Sequence, residues 1–405
     1  DLKPENLARL SALTDEAVLA LGQPPFDRYE FLVALSNKLG DIGLEHLRSS
    51  ENTLEPKNFT DWKELDWDRN VLAHELVHAW NGKFRRPARL WTPDYRQPMQ
   101  DNLLWVYEGQ TQFWGLILAA RSGVQTKENV LGQLAMQAGK YAEMPGRAWR
   151  SVEDTTHDPI FAARKPKPYS SLARDEDYYN EGALVWLEAD QLIRSGTGGT
   201  RGLDDFARAF FGTKPEDGRV KTYEFEDVVA GLNAVYPNDW AAFLHRRMQQ
   251  PGQPAPLAGI ERGGYRLVWK DTPNPFDKAR MDFARSLRLT HSLGFSVDSA
   301  GDVSGTLWDS PAFQAGLVTG ARIIAVNGMA FDFDRIRQAI IAAKGTSKPI
   351  DFIVKRGDRV FTTSVTYGGG LRWPWLEPVN AKSSAAPLDI LLAPRRAPLP
   401  ASAAK

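Results

Sequence analysis

The residues best suited to chemistry are His74, Glu75 and His78, a complete HExxH motif in a chain that has six histidines. Two histidines four residues apart lie on the same face of a helix, one turn above the other. Both imidazoles can then bind one Zn²⁺, and the glutamate between them lies beside the water that such a metal activates. The motif therefore predicts two metal ligands and a general base, as in a zinc hydrolase.

A catalytic zinc has three protein ligands and one open position, so a third ligand must lie elsewhere. The extended metzincin motif would place a glycine at 81 and a histidine at 84, but Asn81 and Phe84 stand there. The alternative is a glutamate on a following helix, and Glu108 lies at the start of the next apolar helical stretch. A carboxylate in such surroundings is costly to bury unless it is paired or metal-bound. We therefore predict that His74, His78 and Glu108 bind the metal.

The elements that must position these residues can be read from apolar periodicity. Residues 29–35 are rich in aromatic and branched side chains and are predicted to form a strand. Residues 70–80 and 103–120 are predicted to form the two helices that carry the metal ligands. A Pro/Gly-rich stretch at 250–256 ends a run of helices, and strand-like segments follow at 264–269, 322–326, 350–355 and 359–365, with one helix at about 334–343.

Three motifs in this order resemble the bacterial glycyl aminopeptidases. They are HELVHAWN at 74–81, YEG at 107–109 and YYNEGA at 178–183. Members of that family are gluzincins with a thermolysin-like catalytic domain and a C-terminal PDZ domain, and they are distant relatives of the aminopeptidase N type. The resemblance extends from about Tyr29 to about Gly370.

The resemblance implies roles for two further positions near the metal. Gly43-Leu44-Glu45-His46 is similar to the exopeptidase signature G-x-M-E-N, whose glutamate binds the free α-ammonium group of the substrate. By this resemblance Gly43 and Glu45 bind substrate, although His46 stands where asparagine is usual. Tyr179 matches the tyrosine that stabilises the tetrahedral intermediate, a hydrogen-bond donor to the developing oxyanion. Tyr178 is adjacent, and only the motif assigns the role to Tyr179.

The C-terminal part resembles a PDZ domain of the bacterial protease type. The resemblance rests on Asp309–Ala312, Ala315–Leu317, Gly320 and Ile323–Gly328, with Ala321 where an aspartate is usual. Leu293, Gly294 and Phe295 stand where the carboxylate-binding loop belongs, so they are expected to bind the C-terminus of a peptide. The alternative is that this domain only packs on the catalytic one.

The expected fold class is α+β, with a mainly helical, thermolysin-like zinc-peptidase domain followed by a β-rich PDZ domain. We expect the catalytic domain at 1–255, with a β-rich part at 28–60 and a mainly helical part at 61–255. A linker or extension at 256–285, the PDZ domain at 286–370 and a C-terminal tail at 371–405 follow, and the residues from Ala381 onward are expected to be loosely held.

Composition excludes several classes of function. Fifty basic residues balance fifty acidic ones among 405, so no global field favours nucleic acid or an anionic membrane. The absence of cysteine excludes disulfides, cysteine-type zinc sites and thiol nucleophiles. No apolar run approaches the roughly 18 residues that span a bilayer. The chain begins at Asp1, as expected of a processed product or a fragment, and the resemblance favours a periplasmic or secreted bacterial protein.

The leading hypothesis is a zinc aminopeptidase that removes small N-terminal residues, glycine or alanine by resemblance, from peptides with free N-termini. A second hypothesis is a zinc endopeptidase whose PDZ domain selects substrates. A third is a catalytically weak scaffold that binds peptides through its PDZ domain.

Overall fold

The computed structural model describes residues 2–40, 42–162, 167, 169–213, 219–380 and 385–397. These residues form a mixed fold of helices and strands, as expected from the sequence. None of the helices in the described part of the chain combines the length and the apolar content that a membrane crossing requires.

The helices are α1 Pro4–Leu21, α2 Asn70–Val77, α3 Leu104–Tyr107, α4 Gly109–Ser122, α5 Lys127–Ala142, α6 Asp158–Ala162, α7 Ser170–Ala173, α8 Asn180–Gly196, α9 Leu203–Phe210, α10 Phe225–Val235, α11 Trp240–Gln249, α12 Ala258–Arg262, α13 Pro275–Ala284, α14 Pro311–Gln314, α15 Phe333–Ala343 and α16 Pro387–Leu392.

The strands are β1 Glu30–Leu35, β2 Gly43–Glu45, β3 Ser49–Leu54, β4 Arg85–Pro87, β5 Lys221–Tyr223, β6 Tyr265–Lys270, β7 Ser286–Leu289, β8 Phe295–Asp298, β9 Val303–Thr306, β10 Ala321–Val326, β11 Met329–Ala330, β12 Pro349–Arg356, β13 Arg359–Thr366 and β14 Trp373–Pro378.

A three-stranded sheet in the order β1-β3-β2 forms one wall of the functional region. β1 is parallel to β3, and β2 is antiparallel to it, with Gly43 opposite Asn52 and Glu45 opposite Ser50. The predicted strand at 29–35 is therefore confirmed as β1. The sheet packs on α2, so residues of β2 lie next to the HExxH helix.

Helices α2, α4 and α8 form the centre of the larger apolar core, and glycines allow them to approach closely. A Cβ on Gly115 would lie 3.4 Å from the His74 backbone nitrogen, and one on Gly109 would lie 3.1 Å from the Gly182 Cα. The predicted helix at 103–120 is divided at Glu108 into α3 and α4, although Glu108 itself keeps right-handed helical torsions, φ −95° and ψ −46°. The Tyr178 carbonyl leaves no room for a side chain at Gly109 there.

The segment 286–366 has an apolar core of its own. It contains a sheet in the order β7-β8-β9, a second sheet in the order β11-β10-β12-β13, and helix α15. The strands predicted at 322–326, 350–355 and 359–365 correspond to β10, β12 and β13, and the predicted helix at 334–343 corresponds to α15. That this module is a PDZ domain remains a prediction.

Two stretches differ from the sequence expectation. Within 256–285, taken as a linker, β6 pairs antiparallel with β14 from the stretch 371–405, taken as a tail. Helix α16 then places Leu388, Leu391 and Leu392 in the same core as α4. Because Ala, Pro and Ser are frequent in this stretch, a short helix with three leucines on one face was not predicted here. The described part of the tail is therefore structured, whereas 381–384 and 398–405 lie outside the described residues.

Candidate metal centre

Three side chains converge where α2 meets the junction of α3 and α4. His74 Nε2 lies 3.0 Å from His78 Nε2, and the Glu108 Oε2 atom lies 3.2 Å from each of these nitrogens. Both histidines are buried. In the described part of the chain, these three side chains form the group whose possible ligand atoms lie close enough together, within 4.8 Å of one another, to hold a metal ion.

The donor set fits a tetrahedrally coordinated metal. With ligand bonds of 2.0–2.1 Å, neighbouring donors of a tetrahedral zinc are about 3.3 Å apart. The three distances of 3.0–3.2 Å are close to that value. Two imidazole nitrogens and one carboxylate oxygen are also the donors of catalytic zinc sites that keep a position open.

The contacts of the other ring nitrogen, Nδ1, also indicate that each histidine can bind a metal through Nε2. His78 Nδ1 lies 3.0 Å from the Asn81 backbone carbonyl, and His74 Nδ1 lies 3.0 Å from Gln112 Oε1. A carbonyl oxygen can only accept, so His78 carries its proton on Nδ1 and keeps the Nε2 lone pair for a metal. These contacts are the usual outer-shell support of a metal-binding histidine.

The electrostatic balance of the three groups favours a cation among them. Burial alone would lower the pKa of His78, but the Glu108 carboxylate outweighs burial and raises that pKa to about 9. Burial alone would raise the pKa of Glu108, but the two histidines hold it well below its ordinary value. The buried Glu108 carboxylate therefore stabilises positive charge at this site, as the binding of a divalent metal cation requires.

Glu75 points from α2 toward β2 and is almost fully buried. A Cβ on Gly43 would lie 2.0 Å from the Glu75 Oε1 atom, so position 43 cannot carry a side chain without displacing the carboxylate. The other oxygen, Oε2, is buried and has no hydrogen-bond partner among the described residues. Burial also raises the pKa of Glu75 above its ordinary value. This carboxylate is thus poorly solvated and suited to holding a proton transiently.

The carboxylate of Glu45 is held by two donors that lie outside the metal triad. The Tyr107 hydroxyl donates to Glu45 Oε1 over 2.6 Å, and Lys83 Nζ lies 3.3 Å from the same oxygen. Burial acts to raise the pKa of Glu45, but the positive charges of His78 and Lys83 bring it below its ordinary value. Glu45 is therefore an oriented, ionised carboxylate beside the metal ligands.

The two tyrosines of the YYNEGA motif both line the cleft that contains His74, Glu75 and Glu108, a space of about 520 Å³. Tyr178 is buried, whereas Tyr179 is half-buried and its ring centroid lies 6.0 Å from that of His74. Of the two, Tyr179 is the more exposed, and its role as the oxyanion donor stays a prediction.

The loop that carries Tyr178 and Tyr179 is fixed by buried ion pairs. Asp177 accepts from Arg174 Nε and Lys140 Nζ, both at 2.8 Å, and from the Tyr141 hydroxyl at 3.0 Å. Glu181 binds Arg147 at 2.8 Å and also binds Arg174. These contacts place the start of α8 rigidly over the metal ligands.

The structure places Leu293, Gly294 and Phe295 at the start of strand β8, and their role in binding a peptide C-terminus stays a prediction. The side chains of Leu293 and Phe295 are fully buried in the core of the C-terminal module. Gly294 donates its N–H to the Leu289 carbonyl over 2.9 Å, and a Cβ there would collide with Ser310. Strand β8 is paired with β7 on one side and with β9 on the other, so it has no free edge for an added peptide strand.

Comparison with known proteins agrees with this geometry. Residues 67–185 match the M61 glycyl aminopeptidase family. The match is consistent with the family resemblance expected from the sequence, and the matched segment contains both histidines, Glu75, Glu108 and Tyr179. No curated protein sequence matches the chain.

A solved structure shares the fold of this chain at low sequence identity. An aminopeptidase N family protein from Idiomarina loihiensis superposes with a TM-score of 0.74 over 96% of this chain, at 19% identity. This chain spans 66% of that protein's length. Two structures of a mutant M1 zinc metallopeptidase from Deinococcus radiodurans, one bound to a Tyr-Ser-Ala substrate, give TM-scores of 0.38 and 0.37. They are 17% and 16% identical and match 63% of this chain and 47% and 46% of their own.

The residues that support the candidate metal site from outside were not predicted from the sequence. Gln112 follows Glu108 by one helical turn, so its spacing could have indicated a position facing α2. Asn81 was used only to exclude the metzincins, yet its carbonyl fixes His78 and its Nδ2 donates to the carbonyls of Val106 and Tyr107. The contacts of Tyr107 and Lys83 with Glu45 had no signal in the sequence, since they join segments distant along the chain.

Proposed function

We propose that this chain is a zinc aminopeptidase of the gluzincin type. The observation that carries the proposal is the convergence of His74, His78 and Glu108, whose donor atoms lie 3.0–3.2 Å apart beside Glu75 in one cleft. When bound, Zn²⁺ supplies Lewis-acid chemistry, lowering the pKa of water and polarising a carbonyl group.

In this proposal Glu75 moves the proton of the reaction. Its carboxylate takes a proton from the attacking water and delivers it to the amine that leaves. The absence of a protein partner on Glu75 Oε2, among the residues described, leaves an oxygen available for that proton. Tyr179 donates a hydrogen bond to the oxyanion that develops on the substrate carbonyl.

Glu45 is proposed to bind the free α-ammonium group and so make the enzyme an exopeptidase. Tyr107 and Lys83 both contact Oε1, whereas Oε2 has no hydrogen-bond partner in the part of the chain that the structure describes. A carboxylate held by one oxygen can offer the other in a fixed direction, which sets the distance from the N-terminus to the scissile bond. The preference for a first residue of glycine or alanine is proposed from the family resemblance alone.

We further propose that the catalytic domain is thermolysin-like and that the C-terminal module is a PDZ-type fold with a structural role. The paired edges of β8 and the buried Leu293 and Phe295 disfavour peptide capture at that loop. Capture of a C-terminal peptide, and an endopeptidase that selects substrates in this way, therefore have less support. The intact metal-ligand set and Glu75 likewise disfavour an inactive scaffold.

The test compares peptides with free and blocked N-termini. Metal-loaded protein should release free glycine or alanine from Gly- and Ala-peptides, and a chelator should abolish the release. N-acetylated versions of the same peptides should be resistant, because Glu45 would lose its cationic partner. Cleavage of the blocked peptides would favour the endopeptidase, and cleavage of neither would favour the scaffold.

A further inference from the structure

The asparagine in the YYNEGA motif has no role in the reaction proposed above. Asn180 is the first residue of α8 and directly follows Tyr179. Its Oδ1 atom accepts two hydrogen bonds, from Gln137 Nε2 over 2.7 Å and from Gln112 Nε2 over 3.3 Å. One side chain of α8 thus connects α5 with α4.

The same row of amides ends at a metal ligand. Gln112 donates to Asn180 through Nε2, and its other end, Oε1, lies 3.0 Å from His74 Nδ1. The order Gln137, Asn180, Gln112, His74 is therefore continuous. Gln137 is almost fully buried, so bulk water is not available to replace Asn180 as its partner.

The orientation of the Gln112 amide decides which nitrogen of His74 can bind a metal. A neutral imidazole has one N–H and one lone pair. When Gln112 presents Oε1, the His74 proton resides on Nδ1, and the Nε2 lone pair faces the metal site. When the amide is turned over, its NH₂ group faces Nδ1, which must then be the acceptor. The proton then resides on Nε2 and opposes metal binding.

The two histidines differ in this respect. The acceptor for His78 is a backbone carbonyl, which cannot turn over. The acceptor for His74 is the side-chain amide of Gln112, which can turn over. A further partner must therefore fix the orientation of the Gln112 amide. Asn180 Oδ1 is that partner, because it accepts only from the Nε2 end of Gln112.

We propose that Asn180 is a positioning residue that sets the protonated nitrogen of His74 through Gln112. The proposal rests on the metal site put forward above and extends it. Because Asn180 adjoins Tyr179, the same residue also ties the proposed oxyanion donor to the metal ligand, which gives the asparagine of the motif a physical reason.

The experiment measures the affinity of the metal-free full chain for Zn²⁺, by competition with a chromophoric chelator, in a set of matched variants. Asn180→Ala removes the acceptor, so Gln112 can turn over and the affinity should fall about 10-fold or more, as for other outer-shell changes. Asn180→Asp retains an acceptor for both glutamines and should restore the affinity. Gln137→Met removes the other donor to Asn180 and should weaken binding in the same direction, which keeps the test usable if Asn180→Ala does not fold.

A second pair of variants separates orientation from packing. In Gln112→Glu both side-chain oxygens accept from His74 Nδ1, so this side chain cannot present a donor. Adding Asn180→Ala to Gln112→Glu should therefore cause no further loss of zinc affinity. Gln133→Met, a buried amide one turn earlier on α5 that bonds to Gln125, is the control and should bind zinc like the wild type.

The outcomes distinguish this inference from the proposed function. If the wild type binds no zinc, the proposed metal site fails. If the wild type binds zinc and Asn180→Ala binds it equally well, the inference alone is overturned. A loss that persists undiminished in the Gln112→Glu background would also overturn it, because packing would then explain the effect.

Discussion

A carboxylate that already has one cationic partner can still bind a second, and we propose that Glu45 does so. Its Oε1 atom is shared by Tyr107 and Lys83. His74 and His78 could be predicted at this scale because the HExxH motif fixes them locally, and Glu108 because a carboxylate at the start of an apolar helical stretch needs a partner. The partners of Glu45 could not, since a folded chain brings together β2, α3 and the segment after α2.

The residue-scale prediction concerns Glu45→Gln. A neutral amide binds an ammonium group less well than a carboxylate, and the lost charge on the hydrogen bond is worth about 1.5–3 kcal/mol. We expect KM for a Gly-peptide with a free N-terminus to rise about 10- to 100-fold, with kcat changed less. Steady-state kinetics on zinc-loaded protein measures both.

The control for that prediction is Glu51→Gln. Glu51 is on the neighbouring strand β3, is exposed, and pairs with His46 rather than with the site. Equal kinetics for the two variants would show that Glu45 does not bind the N-terminus.

At the scale of elements, the start of α8 depends on buried charges. Asp177 and Glu181 are both buried, and they share Arg174. This cluster could not be predicted from the sequence, because Lys140 and Arg147 lie far from Asp177 and Glu181 along the chain. The lack of space for a side chain at Gly109 was likewise not predictable, since the Tyr178 carbonyl that crowds it comes from the segment before α8.

The element-scale prediction is the pH dependence of Asp177→Asn. Burial would raise the pKa of Asp177, but Lys140 and Arg174 outweigh it and hold that pKa below 3.8, its ordinary value. A lowered pKa in the folded state contributes stability above the unfolded pKa and loses it as pH falls through the folded one. At pH 7 we expect the variant to lose about 3–5 kcal/mol of unfolding free energy, because it breaks a buried pair.

Urea unfolding at pH 7, 5 and 3 measures this effect. The difference between wild type and variant should be constant from pH 7 to 5 and should shrink below pH 3.8. Asp282→Asn makes the same chemical change in an exposed pair with Lys278 and should cost less than about 1 kcal/mol. A deficit as small as that of the control would contradict the account of the cluster.

At the scale of the whole molecule, the C-terminal segment packs on the larger apolar core, which contains α2, α4 and α8. The sequence predicted a helical part and a β-rich part, because apolar periodicity changes near residue 250. It did not predict that β14 would pair with β6 or that α16 would pack beside α4. Such pairings depend on contacts across more than 100 residues, as between Arg121 Nε and the Leu391 carbonyl at 2.9 Å.

The prediction at this scale is that Leu391→Ala destabilises the catalytic core. Leu391 is fully buried, and truncation of such a leucine costs about 2–5 kcal/mol through lost burial and the cavity left behind. Ile390→Ala, at the adjacent position where the side chain is 57% exposed, should cost far less. Thermal unfolding measures the melting temperature of both variants. Similar melting temperatures for Leu391→Ala and Ile390→Ala would mean that α16 is not part of the core.

The central claim is that this chain binds zinc through His74, His78 and Glu108 and uses Glu75 to transfer the proton of peptide hydrolysis. The most direct measurement compares zinc content and Gly-peptide hydrolysis in the wild type and in Glu75→Gln. The account predicts that both bind one zinc ion, while the variant loses at least about 100-fold in kcat, as expected on removal of a general base. Full turnover by zinc-loaded Glu75→Gln would contradict it.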